Sequence, residues 1–225
     1  MQRKHVRVLA DSSFNTRLGW TFGDSESDPH MVVHLPEAKP HELPRPETHS
    51  YPTQFAQHWN LKNNTPAIIR AICSSDETLL AQFHEKLSER SVYLRYFSLI
   101  PLSQRVAHEQ LTRTCLVDDR EFALVAVLGH EGSAEREIVG LGQISKQSVP
   151  NEVEWGLVVA DEYQNQGLGT RLCDCLLKIS RSVGAQRVMA MVLPENHVMR
   201  VIARRLGFKL EWDLEEHAMR ATLVL

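Results

Sequence analysis

Two stretches carry residue types that could do chemistry together. The run Glu152 to Val159 (EVEWGLVV) holds two carboxylates, and Gln164 to Thr170 (QNQGLGT) follows it. If EVEWGLVV is a strand, alternation puts Glu152 and Glu154 on one face. A carboxylate held at a strand start suits proton transfer in acid–base catalysis; the plain alternative is a pair of solvated surface charges. The second stretch precedes an amphipathic run and reads as a loop entering a helix. The first amides of a helix have no partner within it and carry the positive end of its dipole, so this order makes an anion site. Gly167 and Gly169 allow an anion to reach the backbone with no side chain in the way. A P-loop would need Gly-Lys-Ser/Thr, and Thr170 follows Gly169 directly without a lysine. A dinucleotide loop would need a third glycine where Leu172 stands.

These residues need a scaffold, and the pattern supplies one. Ala67 to Ile72 (AIIRAI) reads as a short strand, and Ser75 or Asp76 can cap a helix running to about Leu87. A second helix is expected from Ser103 to about Arg113, after Pro101. Strands follow at Phe122 to Leu128, Glu137 to Ser145 and Glu152 to Val159. A helix begins near Gly167 and runs to about Val183, with Gly184 as its stop. Arg187 to Leu193 is a strand. Asn196 to Leu206 is a helix ended by Gly207, and strands around Phe208 to Trp212 and Ala218 to Val224 complete a mixed sheet. No repeat is visible.

The first 60 residues differ. Six of the ten prolines and six of the eleven histidines fall there, and the prolines every few residues from Pro29 to Pro52 rule out a long helix or a central strand in that run. His30, His34, His41 and His49 do not pair with cysteines at ligand spacing, so a solvated linker is favoured over a metal site. The domain expected to do the chemistry is 66–225, behind this extension of 1–60.

Composition narrows the class. A formal net charge of −3 gives no basic footprint for nucleic acid. No apolar run is long enough for a membrane span. Cys73, Cys115, Cys173 and Cys175 match no zinc spacing and read as reduced thiols of a cytoplasmic protein.

A third reading of the loop is the pyrophosphate site of an acyl-CoA-dependent N-acetyltransferase. Gln164-x-x-Gly167-x-Gly169 resembles the (Arg/Gln)-x-x-Gly-x-(Gly/Ala) motif of the GNAT acetyltransferase superfamily. VLPENHVMRVIARRLGF is similar to that superfamily's second conserved block. A narrower resemblance runs through WNLKNNTPAIIRAI, FHEKLSERSVYLRYFSLIPLSQRVAHEQLTR and EWGLVVADEYQNQGLGTRL. These look like the acetyltransferase domain of bacterial protein-lysine acetyltransferases, which often carry it behind an acyl-CoA-synthetase-like half. The chain read here contains no such half, and 60 residues are too few for a cyclic-nucleotide-binding domain.

The resemblance implies an α/β GNAT fold with a mixed, mostly antiparallel sheet and a splayed strand pair that holds CoA. It implies acetyl-CoA as cosubstrate, no metal, and a lysine acceptor on a protein, an acyl-CoA synthetase among the candidates. A small amine acceptor and a non-catalytic CoA sensor are the rivals; a partner protein docked through the proline-rich segment is a further one. Lysine at neutral pH is protonated, its side chain titrating near about 10.4 in water, so a base is needed. The family's catalytic glutamate falls at Glu154, with Glu152 a helper or a surface charge. The CoA arm is expected on the main chain of Leu157, Val158 and Val159, and the pyrophosphate on the amides of Gln166, Gly167, Leu168, Gly169 and Thr170, with Gln164 at the loop entrance. Asn196 matches the second block's asparagine, and a helix N-cap is its simpler role. Gly156 fits either a bulge that starts the splay or tight packing. Tyr93, Arg95 and Tyr96 can line the acceptor side or serve the core. The family's common tyrosine acid is absent from Val201 to Arg205.

Overall fold

The apolar runs read as strands build one eight-stranded sheet. The structure, a computed structural model, describes residues 55–116, 120–129 and 135–225. The strands are β1 (Gln57–Asn60), β2 (Pro66–Ala71), β3 (Glu121–Leu128), β4 (Glu137–Lys146), β5 (Glu152–Val159), β6 (Arg187–Val192), β7 (Lys209–Asp213) and β8 (Ala218–Val224). They lie in the order β1-β2-β3-β4-β5-β6-β8-β7. Every neighbouring pair is antiparallel except β5 and β6. The helices are α1 (Glu77–Glu85), α2 (Glu89–Tyr96), α3 (Leu102–Arg105), α4 (His108–Cys115), α5 (Leu168–Ser182) and α6 (His197–Arg205). The mixed α/β architecture is the one expected. His30, His34, His41 and His49 lie outside the described residues. No helix among the described residues is long and apolar enough to cross a membrane.

α5 covers one face of the sheet because its apolar residues recur at helical spacing. Leu168, Leu172, Leu176 and Ile179 are all fully buried, each such burial contributing about 1.5–3 kcal/mol. The strand beneath makes room for them. A Cβ on Gly140 would lie 3.0 Å from Leu172 Cδ1, and one on Gly142 would lie 3.2 Å from Leu176 Cδ1. α1 and α2 pack on β4 and β5. On β5 the two helix layers separate by alternation: a Cβ on Gly156 would run into Arg95 of α2, while the Leu157 side chain approaches Gly169 of α5.

The elements depart from expectation in three places. β1 pairs with β2 from within the stretch read as irregular. α2 forms where no helix was expected; Ser88 caps it, its hydroxyl accepting from Ser91 N–H at 3.2 Å. The single helix foreseen after Pro101 is two short ones, α3 and α4. Arg105 at the end of α3 turns inward, is buried, and donates to the carbonyls of Ile100 and His84. Ala107 then takes an extended conformation that restarts the chain as α4.

Candidate active site

The register of β5 creates an opening in the sheet. Along one side β5 pairs with β4 from Val153 to Val159 without a slip. Along the other it pairs with β6 only through Glu152↔Arg187, Val153↔Val188 and Glu154↔Met189. Beyond Glu154 the two parallel strands part. Ala160 N–H donates to Val139 and Gln147 N–H donates to Glu152, which fixes the phase of the β4–β5 ladder. Glu154, Gly156 and Val158 therefore turn their backbone groups toward β4. Leu157 and Val159 turn theirs toward the gap, where no strand among the described residues faces them. Val158 does not offer main-chain groups to the gap, which narrows the expected trio to Leu157 and Val159.

Glu154 sits where the strands part. Its Oε2 accepts from Gln147 Nε2 at 2.9 Å, and the residue is half-buried. Glu152 is on the same face, but its carboxylate lies 3.3 Å from Arg187 Nη1 as a surface ion pair. Glu152 is thus paired with an arginine at the strand start, and Glu154 accepts from an amide side chain at the mouth of the gap.

Gly156 is a packing glycine, with no bulge in its pairing to β4. The Arg95 guanidinium lies over it so closely that an added Cβ would be 2.2 Å from Nη2 and 2.4 Å from Cζ. Arg95 Nη2 donates to Gln143 Oε1 at 2.8 Å, and Gln143 is opposite Gly156 on β4. Arg95 Nε is buried without a partner. A guanidinium, two amide side chains and a carboxylate thus share the face of the sheet reached from α2.

The glycine loop leads into α5 as expected. Gly167 is the N-cap, left-handed at φ 87°, a conformation that favours glycine. Gly169 has no such need, and a Cβ there would meet Ile202 Cδ1 at 3.6 Å and Leu157 Cδ1 at 3.9 Å. The start of α5, α6 and the parting strand thus converge, and the amides of Leu168, Gly169 and Thr170 form the first turn. Lys62, after β1, donates Nζ to the Asn165 carbonyl at 3.0 Å, and the Trp59 ring lies beside Gly167. These bring a cation and an aromatic ring to the loop.

Gln164 has a role that motif spacing alone did not reveal. Its Nε2 donates to the Val159 carbonyl at 3.1 Å and to Ser91 Oγ at 3.0 Å. Ser91 Oγ donates to Asp161 Oδ1 at 2.9 Å. Ser88 reaches the same carboxylate with Oγ at 2.7 Å and its backbone N–H at 2.9 Å. Partial burial raises the Asp161 pKa, but the Ser88 and Ser91 donors outweigh it and hold the group below the usual carboxylate range.

Asn196 caps α6, its Oδ1 accepting from Met199 N–H at 3.1 Å. Its side-chain NH₂ is not used in that cap. Arg200 folds back to the Pro194 carbonyl at 2.8 Å. The buried cysteines do not fit a nucleophile: burial pushes Cys173 and Cys115 up to about 12 and raises Cys175. Among the described residues no group of three or more His, Cys, Asp or Glu side chains is placed to hold a metal ion.

A family model described as Acetyltransferase (GNAT) domain matches residues 66–209. The chain belongs to the GNAT acetyltransferase family. It is an acyltransferase that uses acetyl-CoA. Acetyltransferase PA5475 of Pseudomonas aeruginosa is 26% identical over 161 residues, covering 71% of this chain and 84% of that protein. The GNAT domain of Streptomyces lividans PAT superposes with a TM-score of 0.68 at 23% identity, covering 78% of this chain and 99% of that one. The PaiA N-acetyltransferase of Thermoplasma acidophilum, in complex with coenzyme A, has a TM-score of 0.53 at 17% identity, covering 71% and 99%. These structural likenesses establish the fold.

Sequence reasoning placed Glu154, the open strand and the glycine loop in one neighbourhood. It missed Lys62, Gln143, Gln147 and Asp161. These act through contacts between distant segments, and only a strand reading extended past Lys146 would have pointed to Gln147.

Proposed function

We propose that this GNAT enzyme acetylates lysine side chains of proteins by direct transfer, with Glu154 as general base. The observation that carries this reading is the position of Glu154 at the point where β5 and β6 part. The open edge beyond it, at Leu157 and the N–H of Val159, holds the CoA arm by main-chain bonds. The amides of Gln166, Gly167, Leu168, Gly169 and Thr170 hold the pyrophosphate, where the α5 dipole favours negative charge. Asn196 contacts the arm through its free NH₂, and Lys62 adds charge to the loop. Bound acetyl-CoA supplies the acyl group as a thioester. Glu154 takes the proton that the ammonium must lose, and Gln147 fixes the carboxylate that does so. A main-chain N–H at the open edge, such as that of Leu157, stabilises charge developing on the acyl oxygen. The protonated thiols of Cys173 and Cys175 support direct transfer rather than an acyl-cysteine.

The acceptor enters from the α2 face, where Arg95, Gln143 and Glu154 meet. A protein lysine is supported by the resemblance through Ser88 to Phe97 and by the structural likeness to the PAT domain. We place the enzyme in the cytoplasm, in keeping with its free thiols. The test is a transfer assay with acetyl-CoA, offering an acyl-CoA synthetase and a panel of polyamines and amino acids. Acetylation of protein lysines that disappears in Glu154→Gln is the expected result. Transfer to small amines alone would discard the protein acceptor and keep the chemistry. CoA binding with no transfer to any amine would leave a sensor.

A further inference from the structure

The chain of hydrogen bonds from Val159 to Ser88 joins two parts of the molecule with different roles. At one end is the last carbonyl of the open strand, closed off by Gln164. At the other is the N-terminus of α2, whose last turn puts Arg95 over Gly156 beside Glu154. The direction of each bond is fixed by chemistry. The ionised Asp161 can only accept, so the hydroxyls of Ser88 and Ser91 both donate to it. The Ser91 oxygen is then free to accept from Gln164, whose two N–H groups serve Ser91 and Val159. Each bond polarises the next. Ser91 is buried and belongs to α2, so its hydroxyl reaches the glycine loop only through Gln164.

We propose that α2 couples the acceptor face to the CoA loop, with Ser91 and Asp161 as positioning residues that hold Gln164 and, through it, the end of the open strand and the start of the loop. The proposal rests on the reading of this loop as the CoA site. It gives Gln164, first residue of the glycine motif, a mechanical function. The side chain keeps the Val159 carbonyl out of the open edge and fixes where the loop leaves the strand.

The test is a double-variant cycle read by calorimetric titration of CoA itself, with the melting temperature of each variant recorded alongside. Ser91→Ala removes one hydroxyl without touching the loop. It is expected to weaken CoA binding about three- to tenfold, the effect of one lost hydrogen bond. Gln164→Ala should weaken it by at least as much, and the double variant should be no weaker than Gln164→Ala alone. Asp161→Asn, at an exposed carboxylate, repeats the cycle if Ser91→Ala does not fold, with the same expectation. A purely structural serine would lower the melting temperature and leave CoA affinity unchanged, which overturns the proposal. Effects of Ser91→Ala and Gln164→Ala that multiply would overturn it too. A wild-type protein that does not bind CoA would overturn the functional reading and this inference with it. Wild-type binding with an unaltered Ser91→Ala affinity removes only the inference.

Discussion

Gly156→Ala is the substitution whose consequence the structure defines most sharply. The new Cβ would lie 2.2 Å from Arg95 Nη2, 2.4 Å from Cζ and 2.9 Å from Nη1. All three are closer than real contacts, so the guanidinium must leave. It then gives up the 2.8 Å bond to Gln143, which faces the same spot from β4. Losing a charge-assisted hydrogen bond costs about 1.5–3 kcal/mol when the site is desolvated. Overpacking adds about 1–3 kcal/mol if the backbone must also move. Arginine is long and flexible and the site is half-open, so the sum belongs near the low end, about 2 kcal/mol. The decisive feature is coupling. In an Arg95→Ala background the clash partner is gone, and Gly156→Ala should then cost under about 0.5 kcal/mol, leaving an interaction energy of about 1.5 kcal/mol. Denaturant unfolding of the wild type, both single variants and the double variant measures it. Equal costs of Gly156→Ala in the two backgrounds would refute the packing argument.

The two loop glycines should separate: Gly167→Ala forces a side chain into the left-handed region at about 1–2 kcal/mol and weakens CoA binding, whereas Gly169→Ala, in ordinary contact with Ile202 and Leu157, keeps it, as titration of both variants will report. His84 gives a pH signature. Burial first, then the charges of Arg105 on α3 and Arg95 on α2, lower its pKa to about 4, so between about pH 6.5 and 4 the unfolded chain binds a proton that the native one refuses. Stability from this group is therefore full above pH 6.5 and falls by up to about 3 kcal/mol as the pH drops to 4. In His84→Gln that part of the slope in denaturant-derived stability should disappear.

The fold was legible because its signals are periodic. Leu168, Leu172, Leu176 and Ile179 announce α5, and the alternation of EVEWGLVV announces β5 with Glu154 and Glu152 on one face. The order of elements around QNQGLGT then sufficed for the family. What was not legible depends on contacts between segments far apart in sequence. α2 is short and its apolar content is low, so no stripe marks it; its start is fixed by Ser88 and by Asp161, 73 residues away. The break between α3 and α4 follows from where Arg105 finds carbonyls. His84 carries no apolar signal and is nonetheless buried, and Arg105 of α3, 21 residues on, donates to its carbonyl. The backbone direction of Val158 needed the phase of the β4–β5 ladder, which no single sequence supplies. Gly156 left two explanations open until the Arg95 guanidinium was seen in the slot.

The most direct test of the central claim is the effect of Glu154→Gln on turnover and on CoA affinity, measured on the same protein with the best acceptor from the panel. The account predicts that kcat falls roughly 10²–10⁴-fold while the Kd for CoA stays within about twofold, because the carboxylate handles the proton and the open edge and glycine loop hold the cosubstrate. An unchanged kcat, or a loss of activity explained entirely by lost CoA binding, would contradict it.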